Sequence, residues 1–192
     1  MTTLIILAAG ESKRLGRPKQ NLFFNGQTLL QHAVQSGQES ECEAIMVVLG
    51  ANSDEIVPIP GITTLYNKDW KKGMASSIRR AMVEINDDPS VDKVIIMLCD
   101  QPFVSATLLN TLISKQIETG KSIIACAYNG TTGVPVLFEH AFFGELLLLQ
   151  GHEGAKKILK NHVIDIVTIP FEQGGIDIDT PADYEQLRGL SD

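Results

Sequence analysis

The sequence predicts an α/β fold: one three-layer α/β/α domain with a mostly parallel sheet, spanning residues 1–192. Three observations carry this. Short apolar runs recur along the chain and are continuous rather than alternating, as strands covered on both faces require. Segments with apolar residues at helical spacing separate them. No low-complexity linker, internal repeat or composition break divides the 192 residues, a length that suits one domain with a substantial core.

Strands are expected at Leu4–Ala9, Ala44–Leu49, Val94–Cys99, Ile123–Ala127 and Val163–Ile169, with a further strand-like run in "ITTLY" at 62–66. Between them, Ile78, Ala81, Met82 and Ile85 mark one helix, and Leu108, Leu109, Leu112, Ile113 and Ile117 another. This β-α-β-α rhythm implies parallel strands joined by right-handed crossovers. The later half is less regular. "GTTGVPVLFEH" (130–140) reads as a glycine-bounded turn leading into a short strand, Val134–Phe138, and "GHEGAKKILK" (151–160) as a loop and a short helix. Such an insertion builds the second wall of a cleft. Thr180-Pro181-Ala182-Asp183 reads as an N-cap, a proline at the first helical position and an acid three residues after the cap. In open α/β sheets ligands lie beyond the carboxyl ends of the strands, where the unusual polar groups of this chain fall.

With 44% hydrophobic and 20% charged residues, the composition is that of a folded globular protein. The apolar runs are too short to span a bilayer, and Met1-Thr2-Thr3 lacks the basic start of a secretory signal. Cys42, Cys99 and Cys126 form no CxxC pair; Cys99 and Cys126 sit in apolar runs and read as buried thiols of a cytoplasmic protein. The four histidines lack zinc-like spacing. Net charge is −7 but unevenly spread: residues 1–80 hold nine Lys+Arg and seven Asp+Glu (+2), and residues 81–192 hold seven and sixteen (−9). So acidic a chain, without a long basic face, excludes nucleic acid as a partner. Its local basic cluster points to a small anionic ligand, the alternative being a solvated surface loop.

That cluster lies in "LAAGESKRLGRPK" (7–19), where the first strand gives way to a glycine-rich turn carrying Lys13, Arg14, Arg17 and Lys19. Free backbone N–H groups in such turns bind phosphate. Neither GxxxxGK[ST] nor GxGxxG is present. What remains is a longer cationic loop, with more charge than one phosphate needs, beside small Ala8, Ala9 and Gly10 that let a planar base approach the backbone. It suits a triphosphate whose β and γ groups depart as pyrophosphate. Far along the chain, "VIIMLCDQPFV" delivers Asp100 at a strand's carboxyl end, where a carboxylate either caps the next helix or binds a cation. In "GGIDIDTPADY", Asp177 and Asp179 share one face if the segment is extended. Magnesium takes hard oxygen ligands, commonly one or two carboxylates with phosphate oxygens and water.

The 7–19 stretch resembles the LAAGxSxRxGxPK signature of nucleotidyltransferases with the nucleotide-diphospho-sugar transferase fold. It is most similar to the molybdenum cofactor cytidylyltransferases. The resemblance implies that Ala8, Ala9, Gly10 and Ser12 hold nucleotide, and that Arg14 and Lys19 neutralise phosphates. The double alanine implies a pyrimidine nucleotide, since guanylyltransferases of this group usually read LAGG. CDQP resembles the group's metal-binding aspartate motif, which makes Asp100 catalytic and a Mg2+ ligand. DIDTPADY resembles DIDTPxDY, in which an acid or amide completes the coordination, here Asp179 ahead of Asp177. "YNKDWKKGMASSIRRAM" (66–82) resembles NPDWxxGMxSSL, which places Gly73, Met74 and Ser77 against base and ribose; ordinary capping of a helix start is the alternative. Trp70 reads as a packing residue.

"TTGVPVLF" resembles RGHPVLF with Val134 in the histidine position. "GHEGAKKIL" resembles GDxGAR with His152 and Lys156 in the aspartate and arginine positions. These segments imply that Gly133, Pro135 and His152 face a pterin, though His152 is equally a surface histidine. The resemblance runs from Leu4 to about Tyr184. It implies a cytoplasmic, magnesium-dependent enzyme that joins CMP from CTP to molybdenum-loaded molybdopterin. The resulting molybdopterin cytosine dinucleotide would pass to a transient molybdenum hydroxylase partner. A sugar or polyol phosphate acceptor, GTP as donor, or a non-catalytic cofactor carrier are the alternatives; Arg14, Lys19, Asp100 and Asp179 argue against the carrier.

Overall fold

The computed structural model describes residues 1–190. The first strand, β1 (Thr2–Ala8), is buried along its whole length. A two-residue-per-strand hairpin follows, β2 (Phe23–Phe24) and β3 (Gln27–Thr28), turned by Asn25-Gly26, both with positive φ (47° and 81°). Asn-Gly is the pair that such tight turns require. Helix α1 (Leu29–Gln38) comes next and lies outside the expected elements. Its signal is a capping box: Gln31 N–H donates to Thr28 Oγ1 (3.2 Å) and Thr28 N–H to Gln31 Oε1 (2.8 Å).

Parallel strands β4 (Ala44–Leu49) and β5 (Thr63–Tyr66), helix α2 (Met74–Asn86), strand β6 (Lys93–Leu98) and helix α3 (Ala106–Thr119) complete the regular half. β7 (Ile123–Tyr128) and β8 (Thr131–Glu139) form a second Asn-Gly hairpin through Asn129-Gly130. Then come α4 (Phe143–Leu148), α5 (Ala155–Asn161), β9 (Ile166–Pro170) and α6 (Pro181–Arg188). The last strand starts later than expected: residues 163–165 form a 3-10 turn with Val163 and Ile164 exposed, and pairing begins where Ile166 meets Ile123 on β7. An apolar run becomes strand only where a neighbour offers its backbone groups.

The seven-stranded sheet has the order β5-β4-β1-β6-β8-β7-β9. All neighbours are parallel except β8, which runs antiparallel to β6 and β7. The mostly parallel sheet is therefore as expected. β1 lies inside the sheet, beside the central β6, with Ile5 opposite Met46 on one side and Ile96 on the other. Alternation splits its side chains between two apolar layers. Ile5 and Leu7 pack with α2, α4 and α5; Leu4, Ile6 and Ala8 pack with α1 and α3. Leu4, Ile5 and Ile6 are fully buried, each contributing about 1.5–3 kcal/mol. A third cluster, including Leu15, Leu22, Phe24, Ile178, Tyr184 and Leu187, ties the first loop to α6. Cys99 and Cys126 are buried free thiols. Among the described residues no helix is long and apolar enough to cross a membrane.

Candidate active site

β1 and β6 are parallel neighbours ending at Ala8 and Leu98, so the residues after them emerge at the same edge of the sheet. The loop after β1 is fastened from within. Ser12 adopts a left-handed conformation (φ 56°). Its carbonyl accepts from Leu15 N–H (3.0 Å) and Gly16 N–H (3.2 Å), and its Oγ accepts from Lys19 N–H (3.1 Å). Buried Gln20 donates Nε2–H to the carbonyl of Ala8 at 2.6 Å. Ser12, expected against nucleotide, thus holds the loop's shape, and Gln20, which sequence reasoning passed over, anchors its base.

The loop delivers Lys19 to two carboxylates distant in sequence. Lys19 Nζ donates to Asp100 Oδ2 and, at 2.9 Å, to Asp179 Oδ1; Arg14 Nη2 donates to Asp179 Oδ2 at 2.6 Å. Asp179 is set by the start of α6. Asp183 Oδ2 accepts from Thr180 N–H (2.7 Å) and Asp179 N–H (3.1 Å), while Thr180 Oγ1 accepts from Asp183 N–H (3.2 Å). The capping role expected of Thr180 and Asp183 is what the structure shows, and it also orients the acid before it. Burial opposes the charge on Lys19, but the Asp100 carboxylate, aided by Asp179, outweighs it and raises the lysine pKa above its ordinary value. Burial also opposes the charge on Asp179; Lys19 and Arg14 overcome it and hold Asp179 below its usual range. Asp177 goes the other way, pushed up by burial and by the neighbouring charges of Asp100 and Asp179.

Two contiguous cavities open here. The first, about 800 Å³, is lined by Ala8, Ala9, Gly10, Lys13, Lys19, Gly73, Met74, Ser77 and Asp100 among others. The second, about 470 Å³, is lined by Gln101, Tyr128, Thr131, Val134, Lys156 and Asp177 among others. Leu7, Met74, Leu98 and His152 line both. Asp177 therefore faces the second cavity while Asp179 sits on Lys19. Arg14 is not among the lining residues of either cavity and reaches the cluster only through Asp179.

Two of the expected acceptor contacts are placed differently. Gly133 and Pro135 line neither cavity. Gly133 lies under the Tyr128 hydroxyl, where a Cβ would come 2.3 Å from the oxygen, and Pro135 is buried within β8. Gly73 lines the first cavity and also comes close to the chain itself: with φ 97°, a Cβ there would come 2.3 Å from the Gly151 carbonyl oxygen. Ser77 is buried and its Oγ accepts from Asn67 Nδ2–H at 2.9 Å. Gly73, the N-cap of α2, has no side chain to cap with, and Ser76 Oγ ties the helix start instead, donating to the carbonyls of Gly73 (2.8 Å) and Asp69 (3.0 Å). Trp70 packs, as expected, but on the wall of the first cavity. Gly50 was not anticipated; a Cβ there would come 2.7 Å from Trp70 Cβ and 2.9 Å from Ala9 Cβ. Its only sequence signal is a glycine one residue past the end of β4.

For a cation, Asp100 Oδ1 is buried without a hydrogen-bond partner among the described residues, a hard oxygen still available. Both Asp179 oxygens are occupied by Lys19 and Arg14. Among the described residues no three of His, Cys, Asp and Glu converge as a metal seat. The donor set fits an ion that takes one or two carboxylates and completes its shell elsewhere.

The family model for the MobA-like NTP transferase domain matches residues 4–166. Nicotine blue oxidoreductase of Paenarthrobacter nicotinovorans is 28% identical, over 98% of this chain and 95% of its own. Molybdenum cofactor guanylyltransferase of Rhizobium johnstonii is 31% identical, over 66% of this chain and 57% of its own. In three dimensions, Rv0371c from Mycobacterium tuberculosis H37Rv superposes with a TM-score of 0.85 at 28% identity, covering 98% of this chain and 97% of that one. A manganese complex of Rv0371c gives a TM-score of 0.81 at 25% identity, with 98% of each chain covered.

Proposed function

This chain belongs to the MobA-like NTP transferase domain family, and from that premise we propose that it transfers CMP from CTP to the terminal phosphate of molybdenum-loaded molybdopterin, releasing pyrophosphate. The product in this reading is molybdopterin cytosine dinucleotide. The fold is that of the nucleotide-diphospho-sugar transferases, and the family is one of nucleotidyltransferases.

The observation that carries the reading is the pair of contiguous cavities with the Lys19–Asp100–Asp179 cluster beside the first. A transfer between two substrates needs both reacting groups held at one junction. The larger cavity suits a nucleoside triphosphate: Ala8, Ala9 and Gly10 form a floor without bulky side chains, and Lys13 and Lys19 on its wall would meet the phosphates. The smaller cavity suits the acceptor, with Lys156 for an anionic group and apolar Leu7, Ile78, Ile96 and Val134 against a ring. His152 and Met74 stand where the two meet. The protein's part is positioning and charge neutralisation, which supply most of the catalysis in phosphoryl-group transfer. A divalent cation, magnesium in this reading, would be held by Asp100 and Asp179 and would neutralise phosphate charge. The manganese complex of Rv0371c supports a divalent ion. A cytoplasmic setting accords with the buried free thiols, and a molybdenum hydroxylase would receive the product.

A second reading, GTP as donor, is favoured by the guanylyltransferase relative. Pyrophosphate release, measured for CTP, GTP, ATP and UTP with molybdopterin or a sugar phosphate as acceptor, separates them. Turnover with CTP and molybdopterin is expected. Turnover with GTP alone would replace the donor, turnover with a sugar phosphate alone would replace the acceptor, and none with any pair would favour a carrier.

A further inference from the structure

We propose that Lys19 is an internal stand-in for the divalent cation, so that the free protein excludes the metal ion until a nucleotide triphosphate arrives with it. The inference rests on the reading above and adds an order of assembly to it.

Lys19 Nζ bridges the two carboxylates assigned to the metal, bonding Asp100 Oδ2 and lying 2.9 Å from Asp179 Oδ1. This contact is sheltered, with the Lys19 and Asp100 side chains only 13% and 9% exposed. Arg14, by contrast, is 68% exposed and, among the described residues, pairs with Asp179 alone, at 2.6 Å. Two cations thus already balance two carboxylates. A divalent cation entering alone has to push a buried ammonium from its partners and gives it none in return. Burying or stranding an unpaired charge is costly. A triphosphate changes this balance. It brings negative charge into the cavity that Lys19 and Lys13 line, and the flexible four-carbon stem of lysine can turn its ammonium from carboxylate to phosphate. The vacated oxygens, together with Asp100 Oδ1, which has no hydrogen-bond partner among the described residues, then receive the ion. Metal and nucleotide each tighten the binding of the other, as linkage requires.

The test is calorimetric titration of the full chain with Mn2+ alone, CTP alone, and Mn2+ in the presence of CTP. In the wild type, Mn2+ alone is expected to bind weakly and to tighten about tenfold or more with CTP. In Lys19→Met, Mn2+ alone is expected to bind about tenfold tighter than in the wild type, and the gain from CTP to shrink. Arg14→Met is expected to change Mn2+ binding far less. A Lys19→Met protein that binds Mn2+ no tighter than the wild type overturns the proposal, and so does an equal gain in Arg14→Met, which would make net charge the cause. If Lys19→Met does not fold, 15N-lysine spectra of the wild type decide. The Lys19 ammonium signal should be slowly exchanging and unmoved by Mg2+ alone, then shift when CTP joins it. A shift with Mg2+ alone overturns the stand-in. Failure of the functional reading looks different: no nucleotide would bind the wild type with or without metal.

Discussion

Asp100 is buried, yet one of its oxygens bonds Lys19 and the other has no hydrogen-bond partner among the described residues. Replacing it by asparagine keeps the size and removes the charge. Asp100→Asn is expected to lower pyrophosphate release about 10²–10³-fold, the usual scale for losing one electrostatic element of a site, while circular dichroism shows the fold retained. Gly73 tests a different kind of contact. A Cβ there meets the Gly151 carbonyl at 2.3 Å and would require a side chain at φ 97°, so Gly73→Ala should displace the loop that carries His152. A stability loss of about 1–3 kcal/mol in urea unfolding is expected, with KM for the acceptor rising more than KM for CTP. In the sequence, Gly73 stands out only by its resemblance to a base and ribose contact. The sequence cannot say that the approaching atom belongs to residue 151, because that contact exists only once α2 and the later loop pack together.

At the scale of the element, the start of α6 links stability to the site. Thr180 and Asp183 cap the helix reciprocally, and Asp183 also accepts from the backbone of Asp179. Thr180→Ala should cost about 1 kcal/mol, read from the urea midpoint, and should loosen Asp179. The hydrogen bond from the Thr180 side chain, then those from the backbone, hold the Asp183 carboxyl below its ordinary value. A depressed folded-state pKa contributes stability above the unfolded value of about 3.9 and loses it as pH falls through the folded one. Acid unfolding of Thr180→Ala should therefore be less steep below about pH 4 than that of the wild type; an identical slope would count against this coupling. The capping box of α6 was legible from Thr180-Pro181-Ala182-Asp183. The equivalent one at Thr28–Gln31 was equally present but preceded a helix that was not anticipated. The reversal of β8 was not legible either: a continuous apolar run gives no strand direction, and only the Asn129-Gly130 turn hints that β8 doubles back on β7.

Over the whole molecule, ligand binding should report on the assembled site. If CTP and magnesium bind the folded chain alone, a hundredfold excess over Kd adds about 2.7 kcal/mol of stability, or a rise in Tm of about 5–10 °C for a protein of this size. CTP without magnesium should give a smaller shift by differential scanning fluorimetry, and an equal shift for every nucleotide would remove the preference for CTP. The sequence by itself determined the α/β class, the two-faced burial of the central strands and the chemical identity of Arg14, Lys19, Asp100 and Asp179. These follow from periodicity and from local motifs, which are properties of neighbouring residues. Only the tertiary structure decided how those four groups pair. Lys19 and Asp179 lie 160 positions apart, and whether the ammonium meets phosphate or carboxylate depends on where α6 and the ends of β1 and β6 converge. Ion pairing is set by distance in space and by burial, and a linear pattern encodes neither.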